Sequence, residues 1–116
     1  MKVSDLSRAM LDYWVARAEG ADHESAMRDA ANYRPTENWA QGGPIIERER
    51  IATWHGIEFI GSSAQVWAAN APGMDGYEGK DSYIDVSSGE TGPTLLIAAM
   101  RAYVVAKFGE TLPDNA

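Results

Sequence analysis

The sequence predicts an α+β fold, with two to four helices packed on a small antiparallel sheet of about three strands. Two patterns carry this prediction: helical apolar periodicity at both ends of the chain, and β-branched or aromatic runs broken by Gly, Ser, Asn and Pro in its middle. Length agrees with it. At 116 residues and 45% hydrophobic content, residues 1–116 read as a single domain able to bury its own core.

From Arg8 to Glu19, Leu11, Trp14, Val15 and Ala18 fall at helical spacing and make one apolar stripe. Ser7 is placed to cap this helix, because its hydroxyl accepts from a first-turn amide, and Gly20 to end it in the left-handed region. An Ala-rich stretch from His23 to Asn32 predicts two or three further turns. After the Gly42-Gly43-Pro44 turn a short helix is expected to begin at Pro44, since proline is tolerated in a first turn. The alternation of Ile46, Arg48 and Arg50 also fits a strand.

Beyond Ile51 the runs Ile51–Ile60, Gln65–Ala68 and Tyr83–Val86 read as three short antiparallel strands. Between them Ala71 to Asp81, rich in glycine and charge, reads as an exposed flexible loop (71–81). The last helix, Pro93 to Phe108, has Thr91 as candidate cap and Gly109 as its stop. It is apolar on most of its circumference, so it needs cover from the sheet and the first helix or from a second copy; a homodimer is one expectation. Residues 112–116 read as a loosely ordered tail.

Composition removes several function classes. With no cysteine there is no disulfide framework, thiolate metal site or cysteine nucleophile. The two histidines, His23 and His55, form no ligand pair, so no metal and no cofactor are expected. Asp75, Glu78 and Asp81 share a loop but lack calcium-loop spacing, and read as a solvated acidic segment. A net charge of −7 disfavours nucleic-acid binding, which draws on Lys and Arg to release counterions. No segment has the continuous apolar core of a signal peptide or membrane span, so a cytoplasmic protein is expected. No Gly-x-Ser-x-Gly elbow or other catalytic constellation is present, which argues against an enzyme and leaves no catalytic residue to name.

The stretch Trp39 to Arg50 is the most suggestive. Two glycines permit close approach of a ligand, and a helix starting at Pro44 would aim free amides and the positive end of its dipole at the same place. Trp39 is suited to stacking, Gln41 to reading polar edges, and Arg48 or Arg50 to neutralising an anion. The plainer alternative is that the glycines make a tight turn, Trp39 packs as core and the Glu/Arg alternation supplies surface pairs. Among the four tryptophans, Trp14 and Trp67 read as packed, whereas Trp39 and Trp54 are the two suspected of contacting something.

Three blocks together resemble a known family. They are Met1 to Ser7 leading into Leu11-Asp12-Tyr13-Trp14-Val15-Ala16-Arg17-Ala18-Glu19-Gly20, the central Trp39 to Arg50, and Gly92 to Tyr103 with Val104 to Gly109. They look like the NinX-type small proteins of tailed phages and prophages. The resemblance implies a phage or prophage origin and action inside a bacterial cell, and brings no assigned activity with it. It directs attention to Trp39, Gln41, Gly42, Gly43, Pro44, Glu47, Arg48 and Arg101, which lie in these blocks. The leading expectation is an accessory protein that binds a small anionic ligand or nucleotide through Trp39, Gln41, Gly42, Gly43, Glu47, Arg48 and Arg101. The alternative is a protein-interaction module that binds and modulates a bacterial host protein through exposed aromatics and an acidic surface.

Overall fold

The computed structural model describes residues 1–57, 61–74, 77–78, 83–84 and 89–113. Its elements are α1 (Arg8–Ala18), α2 (His23–Arg28), α3 (Trp39–Glu49), β1 (Ala52–Ile57), β2 (Gln65–Asn70), β3 (Tyr77–Glu78), β4 (Tyr83–Ile84), β5 (Glu90–Gly92) and α4 (Leu95–Phe108), after a 3-10 turn at Val3–Asp5. The fold is α+β, with an antiparallel sheet in the order β1-β2-β5 and a separate β3-β4 ladder.

The capping chemistry read for the first helix is present. The Ser7 side chain accepts from the Met10 amide at 3.2 Å, and Gly20 and Gly109 take φ of 104° and 90° beyond the ends of α1 and α4. For α4 the cap is Thr94 rather than Thr91, its hydroxyl accepting from the Ile97 amide at 3.1 Å. Thr91 lies instead in β5 and pairs with Ala68.

α4 is the centre of the molecule. It packs on the sheet, and α1 and α3 pack on α4, so α1 stacks chiefly behind α4 instead of lying beside it on the sheet. Leu96 to Met100 and Ala102 to Val104 are buried among Leu11, Val15, Ala69 and Ile45. The apolar circumference that raised a homodimer is thus covered within the chain. Trp14 is core as its period implies, packed edge-on against Tyr13 and Phe108.

Several boundaries differ from the sequence reading. α2 stops at Arg28 and gives way to turns before Asn32. The third strand of the sheet is Glu90–Gly92, while Tyr83–Ile84 pairs with Tyr77–Glu78; Asp85 and Val86 lie outside the described residues. The 71–81 loop contains β3, and Asp75, Gly76 and 79–81 are also outside them. Leu112 is buried, with its amide on the Met1 carbonyl at 2.8 Å, so the tail starts as a docked segment; residues 114–116 are not described.

The largest correction concerns α3. It begins at Trp39, with the Asn38 side chain accepting from the Ala40 amide at 2.9 Å, and Gly42, Gly43 and Pro44 lie inside it. The glycines are therefore not a ligand-cradling loop, and no helix N-terminus exists at Pro44. Gly42 is required by packing: a Cβ there would sit 2.4 Å from the Pro35 carbonyl oxygen and 2.8 Å from Leu96 Cδ2. Helix α3 lies that close to α4 and to the segment before it because the side chain is missing.

Asp12 is a buried carboxyl on α1, 7% exposed, that accepts from the Thr36 amide at 2.9 Å. Burial is the largest influence and raises its pKa above 3.8, outweighing the Thr36 hydrogen bonds that lower it. A raised folded pKa means the contribution to stability is full below 3.8 and falls as pH rises through the folded value. Asp12→Asn, which keeps an acceptor for Thr36, should be at least as stable as the parent at pH 7 and lose this acid-range slope. Urea denaturation across pH checks this, and a clearly less stable variant at pH 7 would show that the ionised Thr36 contact dominates instead.

Candidate functional site

The largest described cleft, about 460 Å³, lies between the C-terminal end of α1, α2 and the turn at Asp29–Tyr33. That volume is within the usual range for small-molecule sites. Its floor is made by Ala16, Ala21 and Ala26, and its polar groups come from Glu19, Asp29, Asn32 and Tyr33. Small alanine side chains on two neighbouring helices leave the space, and the helices are pinned so that it stays open. The Tyr13 hydroxyl pairs with His23 Nδ1 at 2.7 Å while accepting from Arg17 Nη1 at 2.9 Å, tying α2 to α1. The Asp22 side chain caps α2 by accepting from the Ser25 amide at 2.8 Å.

Glu19 is fixed at one side of the cleft. Arg48 donates to both carboxylate oxygens, with Nη1 3.0 Å from Oε1, and the Tyr103 hydroxyl donates to Oε2. Arg48 also donates through Nε to Glu49 at 2.7 Å and through Nη2 to the Tyr103 oxygen at 3.3 Å. One residue thus comes from each of the three sequence blocks quoted above: Glu19 just beyond α1, Arg48 in α3 and Tyr103 in α4. Burial alone, the largest single influence on Glu19, would raise its pKa, but the hydrogen bonds and charge of Arg48 and the Tyr103 hydrogen bond together bring it below 4.5. Glu19 is ionised at neutral pH.

The Tyr33 phenol has the opposite tendency. Burial, reinforced by the Glu19 charge, raises its pKa to about 12, so it remains a protonated donor at the cleft wall. Tyr103 is likewise raised, by burial first and by its bond to Glu19 second. Titratable groups displaced in this way beside a cleft are the physical mark of a candidate site.

The residues expected from sequence divide. Arg48 holds Glu19 at the cleft edge, and its guanidinium is engaged by Glu19, Glu49 and Tyr103. Gln41 holds the cleft wall from behind: its Nε2 donates to the Asn32 carbonyl at 2.8 Å and its Oε1 accepts from the Arg34 amide at 2.6 Å, fixing the turn that carries Tyr33. Gly42 packs on Pro35 and Leu96, Gly43 lies beside the Trp39 ring, and Glu47 is exposed on α3. Trp39, 57% exposed, stands at a separate notch with Arg8 and Leu95. Arg101 is also elsewhere, donating to the Thr91 carbonyl at 2.6 Å. Trp54 is half-buried, and a Cβ on Gly89 would meet its ring.

Glu19, Asp29, Asn32, Tyr33 and Tyr103 were not singled out from sequence. No spacing rule announces them, since Glu19 and Tyr103 are 84 residues apart in the chain.

The fold and cleft define a small α+β protein with a ligand-sized recess. A family model described as bacteriophage P22 NinX matches residues 2–107. The chain belongs to this family and is a phage accessory protein. No curated protein matches it. Among the described residues, no helix is long and apolar enough to cross a membrane, and no group of acidic or histidine side chains is arranged to hold a metal ion.

Proposed function

We propose that this phage accessory protein binds a small ligand in the α1–α2 cleft, one with a short apolar body and a nitrogen that donates hydrogen bonds, such as an ammonium or amide. The observation that carries the reading is the cleft's lining: an alanine floor, the ionised Glu19 carboxylate at the end of α1, and the Asp29 carboxylate and Tyr33 phenol on the turn that follows α2. Carboxylates accept hydrogen bonds and attract cations, whereas an anion entering here meets like charge. Arg48, the cation that would serve an anionic ligand, is already committed to Glu19. Its role in this reading is to hold Glu19 in place.

A matched probe series tests it by calorimetry on the full chain. Butylammonium should bind with millimolar affinity, of the order expected for so small a ligand. Asp29→Asn, at the exposed rim, should weaken it roughly threefold, and Tyr33→Phe should weaken butyramide, whose carbonyl accepts from the phenol, roughly fivefold to tenfold. Both substitutions preserve shape. No binding of either probe to the folded parent would remove the reading. In that case the second one gains, capture of a host protein, which is supported by the exposed Trp39 on a chain of net charge −7.

A further inference from the structure

The α1–α2 cleft presents two carboxylates, and a ligand with a single nitrogen leaves one of them unmatched. Glu19 and Asp29 are the C-terminal caps of α1 and α2, so the two acids reach the cleft from different helices, with Ala16, Ala21 and Ala26 also lining it. A helix C-terminus exposes free carbonyls and the negative end of the peptide dipole, so a cation is its favoured neighbour and an acid is not. Each helix carries an arginine in its last turn, Arg17 and Arg28, but both are turned to other partners. Arg17 donates to the Tyr13 hydroxyl at 2.9 Å and lies over the Tyr13 and Trp14 rings at 5.9 and 5.8 Å. Arg28 donates to the Ser25 hydroxyl at 3.2 Å, and its Nε stays 3.8 Å from Asp29 Oδ1, too far for a hydrogen bond.

Both carboxylates keep room for a donor. An ionised carboxylate offers about four acceptor positions, two on each oxygen. Glu19 Oε2 receives Arg48 Nη2 and the Tyr103 hydroxyl, whereas Oε1 receives Arg48 Nη1 alone, which leaves a position on Oε1 among the described residues. Arg48 does not serve Glu19 exclusively, because Glu49 holds the same guanidinium at 2.7 Å. The Asp29 carboxylate, 62% exposed, accepts no hydrogen bond from the described residues.

We propose that the ligand of this cleft is a short alkane with an ammonium group at each end, of the class of 1,4-diaminobutane: one ammonium donates to Glu19 Oε1, the other to Asp29, and the methylenes lie on the alanine floor. This rests on the reading that the cleft takes nitrogen-bearing ligands, and it names their class. A ligand with one ammonium leaves Asp29 to water. A ligand of the same length with a carboxylate at its second end brings like charge to Asp29.

The test titrates 1,4-diaminobutane, butylammonium and 4-aminobutyrate into the full chain at low ionic strength, with affinity read by calorimetry. The diamine should bind about tenfold more tightly than butylammonium, and 4-aminobutyrate more weakly than either. Asp29→Asn should weaken the diamine about tenfold, against roughly threefold for butylammonium, so the preference for the diamine shrinks in a variant whose binding of butylammonium shows that it is folded. Asp5→Asn removes an equal charge from an exposed position that does not line the cleft and should leave the diamine unchanged, which separates this site from general attraction to a chain of net charge −7. Butylammonium binding with no preference for the diamine overturns the two-ended ligand and leaves the cleft reading standing; binding of neither removes both. Equal effects of Asp29→Asn on the two probes, or a loss in Asp5→Asn as large as in Asp29→Asn, also overturn the proposal.

Discussion

Gly42→Ala is expected to destabilise the protein by about 2–4 kcal/mol, while Gly43→Ala, its neighbour in the same helix, raises stability by about 0.5–1 kcal/mol. The two glycines are equivalent to any propensity scale and differ only in what faces them. A methyl group on Gly42 overlaps the Pro35 carbonyl oxygen at 2.4 Å, a backbone atom that cannot rotate away, and Leu96 Cδ2 at 2.8 Å. Relief requires α3 to move off α4, which also shifts Gln41 and with it the turn carrying Tyr33. On Gly43 the nearest atom is Trp39 Cε3 at 3.6 Å, ordinary contact, so the substitution only removes the flexibility glycine adds to the unfolded chain. Chemical denaturation of the two variants separates them. Similar losses in both would mean that the glycines act through a shared backbone requirement and that the close approach at Gly42 is not decisive.

Glu19→Gln should lower butylammonium affinity by roughly 10- to 100-fold, the range for losing a hydrogen bond to a charged group. The glutamine keeps the volume and one acceptor, so the loss reports charge. The same substitution changes stability in a way that fixes the state of Glu19. Its folded pKa is below 4.5, so its contribution is present above the unfolded value and is lost as pH falls through the folded value. The variant should therefore be less stable than the parent by about 1 kcal/mol at pH 7, a modest figure because Arg48 is half exposed and its pair is screened. That difference should shrink as the pH falls through the acid range. A difference constant with pH would contradict the Arg48–Glu19–Tyr103 arrangement as the source of the shift.

The helices at the two ends were legible because their periods are strong and their caps are local: Ser7, Gly20 and Gly109 do what their chemistry suggests within one turn of chain. α3 was misread at its start because Gly42-Gly43-Pro44 is turn chemistry by local rules. Tertiary contact overrides it, with Gly42 selected for the approach to Pro35 and Leu96, and with Asn38 supplying the cap of a helix that starts at Trp39, before the expected start at Pro44. The same inversion applies to the site. Arg48 was read as a residue to neutralise an anionic ligand, whereas its guanidinium is engaged by side chains that the local sequence does not reveal, since Glu19 and Tyr103 meet it from 29 and 55 residues away. Tyr33 and the alanines of the cleft carry no motif at all; only the packing of α1 against α2 turns small side chains into a recess. The strand Tyr83–Ile84 was read correctly as extended, but which strand completes the sheet depends on pairing that period alone does not encode.

The central claim is that the Glu19 cleft binds small nitrogen-bearing ligands and excludes anions, and an amide chemical-shift titration of the full chain with butylammonium and, separately, butyrate tests it most directly. The account predicts saturable shifts clustered at Ala16, Glu19, Ala21, Ala26 and Tyr33 with butylammonium and none there with butyrate. Shifts of the same size and place with both probes, or with butyrate alone, would contradict it.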